Sequence, residues 1–123
     1  MNTVVVVGGT GLVGGAVARE LHQHVGVDVK SYGSAEVNLL EPATWRGKFD
    51  YADVVFVAAG LVRGTLSELK AVNAHGVCAL AKYCNQLGVP KLVLISSGAV
   101  YGDTDRHTSP GDPLNPITDY AKS

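Results

Sequence analysis

"TVVVV" (Thr3 to Val7) runs straight into "GGTGLVGG" and then into "AVAREL", and few folds accept that succession. The β-branched run carries no alternating polar positions. That is how a strand buried on both faces reads, as in a parallel sheet covered by helices. Gly8, Gly11 and Gly14 then recur at three-residue spacing. Beyond them the pattern predicts an amphipathic helix from about Leu12 to His24, with Val13, Ala16, Val17 and Leu21 on one face.

The rest of the chain continues this theme. Strands are predicted at Val27 to Tyr32, at Ala35 to Leu40, at Asp53 to Ala59 and at Lys91 to Ser96. "EPATWRGKF" has room for only a turn of helix, with Pro42 suited to its first position. A long helix is predicted from about Leu66 to Leu87, because Leu69, Val72, Gly76, Leu80 and Cys84 form one apolar stripe. Gly88 stops it, with Pro90 just beyond. The segment from Asp103 to Pro116 is rich in Asp, Thr, Gly and Pro and reads as a loop. Strands alternating with helices mean right-handed βαβ units, a parallel sheet and helices on both faces.

With 123 residues the chain is one domain, and 46% hydrophobic residues suffice for a core. Ten basic against eleven acidic residues give a net charge of -1, which draws the chain neither to nucleic acid nor to an anionic membrane. The apolar runs are strand-sized, so no segment is expected to span a bilayer. The N-terminus lacks the layout of a signal peptide. Cys78 and Cys84 fall in one predicted helix and point roughly 240° apart, so they are expected to stay as reduced thiols in the cytoplasm.

Ligands of open parallel sheets bind beyond the carboxyl ends of the strands. The glycine turn sits there. Gly8 allows the tight turn, Gly11 lets the backbone approach a phosphate, and Gly14 lets the helix pack near the strand. The helix N-terminus, at Leu12 and Val13, offers unpaired N–H groups and partial positive charge to a pyrophosphate. Thr10 can add a hydroxyl. The bland alternative is a flexible turn that binds nothing. An acid at the end of the second strand would mark NAD by gripping the ribose 2′-OH. Ser31, Tyr32 and Ser34 are neutral there, Lys30 is nearby, and Glu36 lies too far along. The cofactor is therefore NAD or NADP, with a lean toward NADP.

"GGTGLVG", "NAHGVCALAKYCNQLGVPKLVLISSGAVYGD" and "PLNPITDYAKS" together resemble the extended short-chain dehydrogenases/reductases, which include NAD(P)-dependent sugar-nucleotide epimerases and dehydratases. The resemblance covers nearly the whole chain in the family's order. It implies a Rossmann-like doubly wound α/β sheet, truncated here after about five strands. It also implies a substrate-orienting hydroxyl at Ser97, four residues before Tyr101, and a proton-transferring phenol at Tyr120. Asn38 and Leu39 match the place beside adenine, although the family has Asp where this chain has Asn38. Ala58, Ala59 and Gly60 match the backbone along the cofactor ribose, and small residues in a tight turn are the plainer reading of these three. Asn73 reads as structural. The family's dehydratases carry Thr-Asp-Glu where Ser97, Gly98 and Ala99 stand, so water elimination is disfavoured and epimerase or ketoreductase preferred. Tyr101 reads as a packing residue.

The family's Tyr-x-x-x-Lys motif would place its lysine at position 124. A free tyrosine, with a pKa near ~10, is a poor base at neutral pH, and the lysine's charge is what helps it accept a proton. Lys122 is no substitute, lying roughly 200° round the helix from Tyr120. The expectation is a front part of a longer protein, in which the partners are a dinucleotide and a nucleotide sugar, with a homodimer also open. A non-catalytic NAD(P)-binding sensor on the same fold, or a fragment acting by association, are the alternatives. The 123-residue chain should then show no measurable turnover on any sugar nucleotide with cofactor supplied. A coupled absorbance assay checks this, and robust turnover would move the reaction centre away from Tyr120.

Overall fold

The unbroken valine run folds as its pattern requires. In the computed structural model, which describes residues 2–123, it forms β1 (Asn2–Val7), and Val4 to Val7 are all buried. β1 lies inside a parallel four-stranded sheet of order β2-β1-β3-β4, with β2 at Val27–Tyr32, β3 at Val54–Val57 and β4 at Lys91–Leu94. The register runs from Asn2↔Val27 to Val7↔Tyr32 on one side and from Val4↔Val54 to Val7↔Val57 on the other. β4 continues with Val54↔Lys91 to Val57↔Leu94.

Because side chains alternate across a strand, the valines divide between two cores. Val5, Val7, Val55 and Val57 face Trp45, Phe49, Val77, Leu80 and Cys84. Val4 and Val6 face Ala18 of α1 (Leu12–Leu21), with Val17 and Leu21 packed alongside. Each fully buried valine contributes about 1.5–3 kcal/mol, so β1 holds both layers. The second layer is a continuous helical run in three parts: α2 (Leu66–Lys70), a π-helical segment (Ala71–Gly76) and α3 (Val77–Gln86). Thr65 caps it by accepting from the Glu68 amide. Gly88 closes it at φ +76°. A short α4 (Asp119–Lys122) ends the chain.

The structure departs from the sequence reading at three places. Ala35 to Leu40 is not a strand, so the sheet has four strands rather than about five. Its backbone is satisfied locally: the Glu36 and Val37 amides both donate to the Gly33 carbonyl, and the Leu40 amide donates to Asn38 Oδ1. Trp45 Nε1 donates to the Asn38 carbonyl at 2.8 Å, which anchors this turn to the one-turn helix Pro42–Trp45. Second, α1 ends at Leu21, and its buried face is Gly14, Gly15 and Ala18 rather than Val13 and Ala16, because the glycines let the helix backbone lie close to the β1 turn. Third, β3 and β4 stop earlier than predicted, leaving Ala58–Ala59 and Ile95–Ser96 as loop. Among the described residues no helix is long and apolar enough to cross a membrane.

The two cysteines are free, Cys78 exposed and Cys84 buried. Burial pushes the Cys84 thiol up from 9.0 to about 11 by desolvating its thiolate. A thiol reagent should label Cys78 and spare Cys84 in the native chain, then label both after denaturation. Adducts are counted by mass spectrometry. The folded value is the raised one, so this thiol's contribution to stability is complete below 9.0 and drains away as pH rises through about 11.

Candidate functional site

The chain order places a topological switch between β1 and β3: from β1 it goes one way to β2, and β3 lies on β1's other side. The C-terminal ends of β1 and β3 therefore frame the crevice in which open α/β sheets bind ligands. The glycine turn fills one wall. Gly8 sits at φ +84°, and a Cβ there would lie 2.6 Å from the Ala59 amide nitrogen. A Cβ on Gly14 would collide with the Gly8 carbonyl, whereas one on Gly11 would meet only that same oxygen, at 3.3 Å. So Gly8 and Gly14 are glycines for packing, and Gly11 is the one that leaves an approach open. No side chain caps α1, and no acid stands in its first turn. Its amides at Leu12 and Val13 are thus free to meet an anion, and the residues fit a pyrophosphate.

The end of β2 interlocks with this turn. The Gly8 and Gly9 amides both donate to the Tyr32 carbonyl at 2.9 Å. Ser31 Oγ occupies the space that a side chain on Gly9 would need, and Thr10 packs over Gly33, 2.8 Å from where its Cβ would be. An aspartate at Ser31 would therefore have little room. Lys48 Nζ stands 5.2 Å from the centre of the Tyr32 ring. Glu36 folds back over its own turn so that its Oε1 accepts from the Gly33 amide at 3.4 Å. Asn38 spends its Oδ1 on the Leu40 amide, while Leu39 is buried in the core.

A cavity of about 550 Å³ lies over the switch point. Leu12 and Val13 form one side, and Ala58, Ala59 and Gly60 the floor. Ser97 and Tyr120 line the same cavity although they are far apart in sequence. Leu12 is 89% exposed, an apolar side chain left out of the core at the mouth of a cleft. Ser97 has extended backbone and caps the one-turn helix Gly98–Tyr101, with its Oγ accepting from the Ala99 amide at 3.1 Å. Its own O–H remains free to donate to a bound oxygen. Tyr101 lies outside the lining. Gly8, Thr10, Gly11 and Gly14 also lie outside it, as do Ser31, Asn38 and Leu39.

Several lining residues were not singled out from sequence: Val62, Ser96, Val100 and Ser123, together with Asn73, read there as structural. Asn73 Oδ1 accepts from the Leu61 amide, and its Nδ2 donates to the Leu61 carbonyl, both at 2.7 Å. The side chain thus holds the loop after β3 in the manner of a paired strand. The available signal was its place in "NAHG", upstream of the glycine that packs against Leu39.

The model of the NAD dependent epimerase/dehydratase family matches residues 4–123. The chain belongs to this family. No curated protein matches it. Among solved structures it is similar to the Helicobacter pylori ADP-L-glycero-D-manno-heptose-6-epimerase, at 18% identity and TM-score 0.87, covering 98% of this chain and 47% of that one. It is also similar to the Brucella ovis UDP-glucose 4-epimerase in complex with NAD, at 23% identity and TM-score 0.85, with 99% and 44% covered. A third is the Bacillus anthracis dTDP-4-dehydrorhamnose reductase in complex with NADP, at 19% identity and TM-score 0.85, with 99% and 46% covered. The chain thus spans less than half the length of these relatives. The likeness shows a shared Rossmann-like fold.

The two kinds of glycine should separate in experiment. Gly11→Val should retain the melting temperature and weaken dinucleotide binding more than about tenfold, by calorimetry with NAD and NADP. Gly14→Val should instead destabilise the fold by about 1–3 kcal/mol, in thermal unfolding. Equal binding by Gly11→Val and the unmodified chain would remove the phosphate cradle.

Proposed function

We propose that this chain is the dinucleotide-binding portion of an NAD(P)-dependent enzyme that epimerises or reduces the sugar of a nucleotide sugar. The observation that carries the reading is the cavity at the switch point, where Leu12 and Val13 of the first helical turn, Ala58 to Gly60, Ser97 and Tyr120 meet. In this reading Gly8, Thr10, Gly11 and Gly14 form the turn under the pyrophosphate, with the amides of Leu12 and Val13 directed to it. Ala58, Ala59 and Gly60 run along the ribose, and Asn38 and Leu39 lie on the adenine side, where Asn38 Nδ2 is available to donate. The relatives named above are epimerases and a reductase of nucleotide sugars, and two of them are complexes with NAD or NADP.

A nicotinamide ring bound there supplies hydride exchange with a sugar carbon. The chain's own groups handle the proton. Tyr120 takes the proton of the sugar hydroxyl as its carbon is oxidised, or returns it on reduction. Ser97 donates to the same oxygen and holds it in line. Gly98 and Ala99 carry no ionisable side chain, so the acid and base of water elimination are missing from this loop. Both thiols are free, which fits a reducing compartment, and we place the protein in the cytoplasm. Among the described residues β4 pairs only with β3, and this open edge favours association with a second chain, a homodimer included.

For cofactor choice we propose NADP. Ser31 and Tyr32 carry no negative charge, and Lys48 over the Tyr32 ring adds a cation beside the end of β2. Glu36 opposes this from Gly33. NADP should bind more tightly than NAD by calorimetry. Lys48→Ala should erode that preference about two- to fivefold, the range of an exposed charge pair, and Glu36→Gln should increase it. A clear preference for NAD would reverse the assignment, and absence of binding to either would remove the whole reading. In the full-length gene product, Tyr120→Phe should abolish turnover and Ser97→Ala should reduce it about 10²–10⁴-fold, measured as kcat.

A further inference from the structure

Tyr120 lies in the first turn of α4, and hydrogen bonds from two directions fix that turn. Thr118 caps its start by accepting from the Ala121 amide at 3.0 Å. A further contact comes from Ser123. Its Oγ donates to the Tyr120 carbonyl at 2.7 Å and accepts from Asn73 Nδ2 at 2.9 Å.

Asn73 has nothing left to give elsewhere. One Nδ2 hydrogen goes to the Leu61 carbonyl and the other to Ser123, while Oδ1 takes the Leu61 amide. An amide committed in three directions has one orientation. It stands in the π-helical stretch Ala71–Gly76, and such wide turns recur at functional sites. On its other side, Leu61 directly follows Gly60, which with Ala58 and Ala59 floors the cavity.

We propose that Ser123 is a positioning residue for Tyr120. Its hydroxyl relays the fixed amide of Asn73 to the Tyr120 carbonyl, so the phenol-bearing turn is held in register with the loop beneath the cofactor. A hydroxyl is required, because alanine can neither accept from Asn73 nor donate to the carbonyl, and threonine keeps both functions. This role rests on the reading of Tyr120 as the proton-transferring phenol, yet position can be measured without turnover.

The test is NMR on the chain with ring-labelled tyrosine, the Tyr120 signal being assigned by its loss in Tyr120→Phe. In the unmodified chain the Tyr120 signal should be displaced from that of free tyrosine and should move when NAD is added. In Ser123→Ala it should fall back to the free-tyrosine position and lose the response to NAD, while the Tyr101 signal stays in place. Ser123→Thr should restore both features. A Tyr120 signal unchanged in Ser123→Ala, or a Ser123→Thr spectrum like that of Ser123→Ala, overturns the positioning role while leaving the proposed function standing. If Tyr120 in the unmodified chain ignores NAD that calorimetry shows to be bound, the reading of Tyr120 itself falls.

Discussion

Everything in the candidate site depends on how closely two pieces of backbone approach at the switch point. Gly8 lies against the Ala58–Ala59 peptide, with 2.6 Å between the Ala59 nitrogen and the place its Cβ would occupy. Gly14 lies closer still to the Gly8 carbonyl. Such contacts are open only to residues without a side chain, and at Gly8 the positive φ adds a second reason. They bring the first turn of α1 and the loop after β3 together within one cavity. A side chain at Gly14 would push α1 away from the Gly8 turn, and one at Gly8 would push the Ala58–Ala59 peptide away; either change would separate the amides at Leu12 and Val13 from the floor at Ala58 to Gly60.

The sheet beneath supplies the rigidity that this approach needs. β1 is paired with β2 along its length and with β3 from Val4 to Val7, where it is also buried, so its end can move little. Two short tethers then fix the loops at the strand ends. The Gly8 and Gly9 amides share the Tyr32 carbonyl, which ties the glycine turn to β2. Asn73 ties the continuation of β3 to the second helical layer. The site is thus built from loops, as catalytic and binding sites usually are, but each loop is held to a regular element by hydrogen bonds from its own backbone.

The candidate chemistry divides by origin in the same way. The anion-binding features belong to one contiguous stretch, Gly8 to Gly14, and come from backbone amides and an uncapped helix. The side chains proposed to handle the proton come from separate elements, Ser97 from the loop after β4 and Tyr120 from α4. Ser97 uses its acceptor on the Ala99 amide and keeps its hydrogen, which suits a group that holds a substrate oxygen without taking its proton.

The sequence by itself determined whatever depends on near neighbours. The doubly wound layering was legible because the valine run and the Leu69-to-Cys84 stripe each state their own burial. The glycine turn was legible because three-residue spacing between a strand and a helix has few other uses. The tertiary structure alone decided what depends on distant partners. Ala35 to Leu40 has the composition of a strand, but Trp45 and the Gly33 carbonyl take up its backbone groups first. Ser31 sits at the predicted ribose position, yet its hydroxyl is turned against Gly9. Asn73 and Ser123, 50 residues apart, meet through one hydrogen bond that no local pattern encodes. Periodicity records which face of an element is apolar. Which side chains from separate elements come to touch is settled only when the two layers close on the sheet.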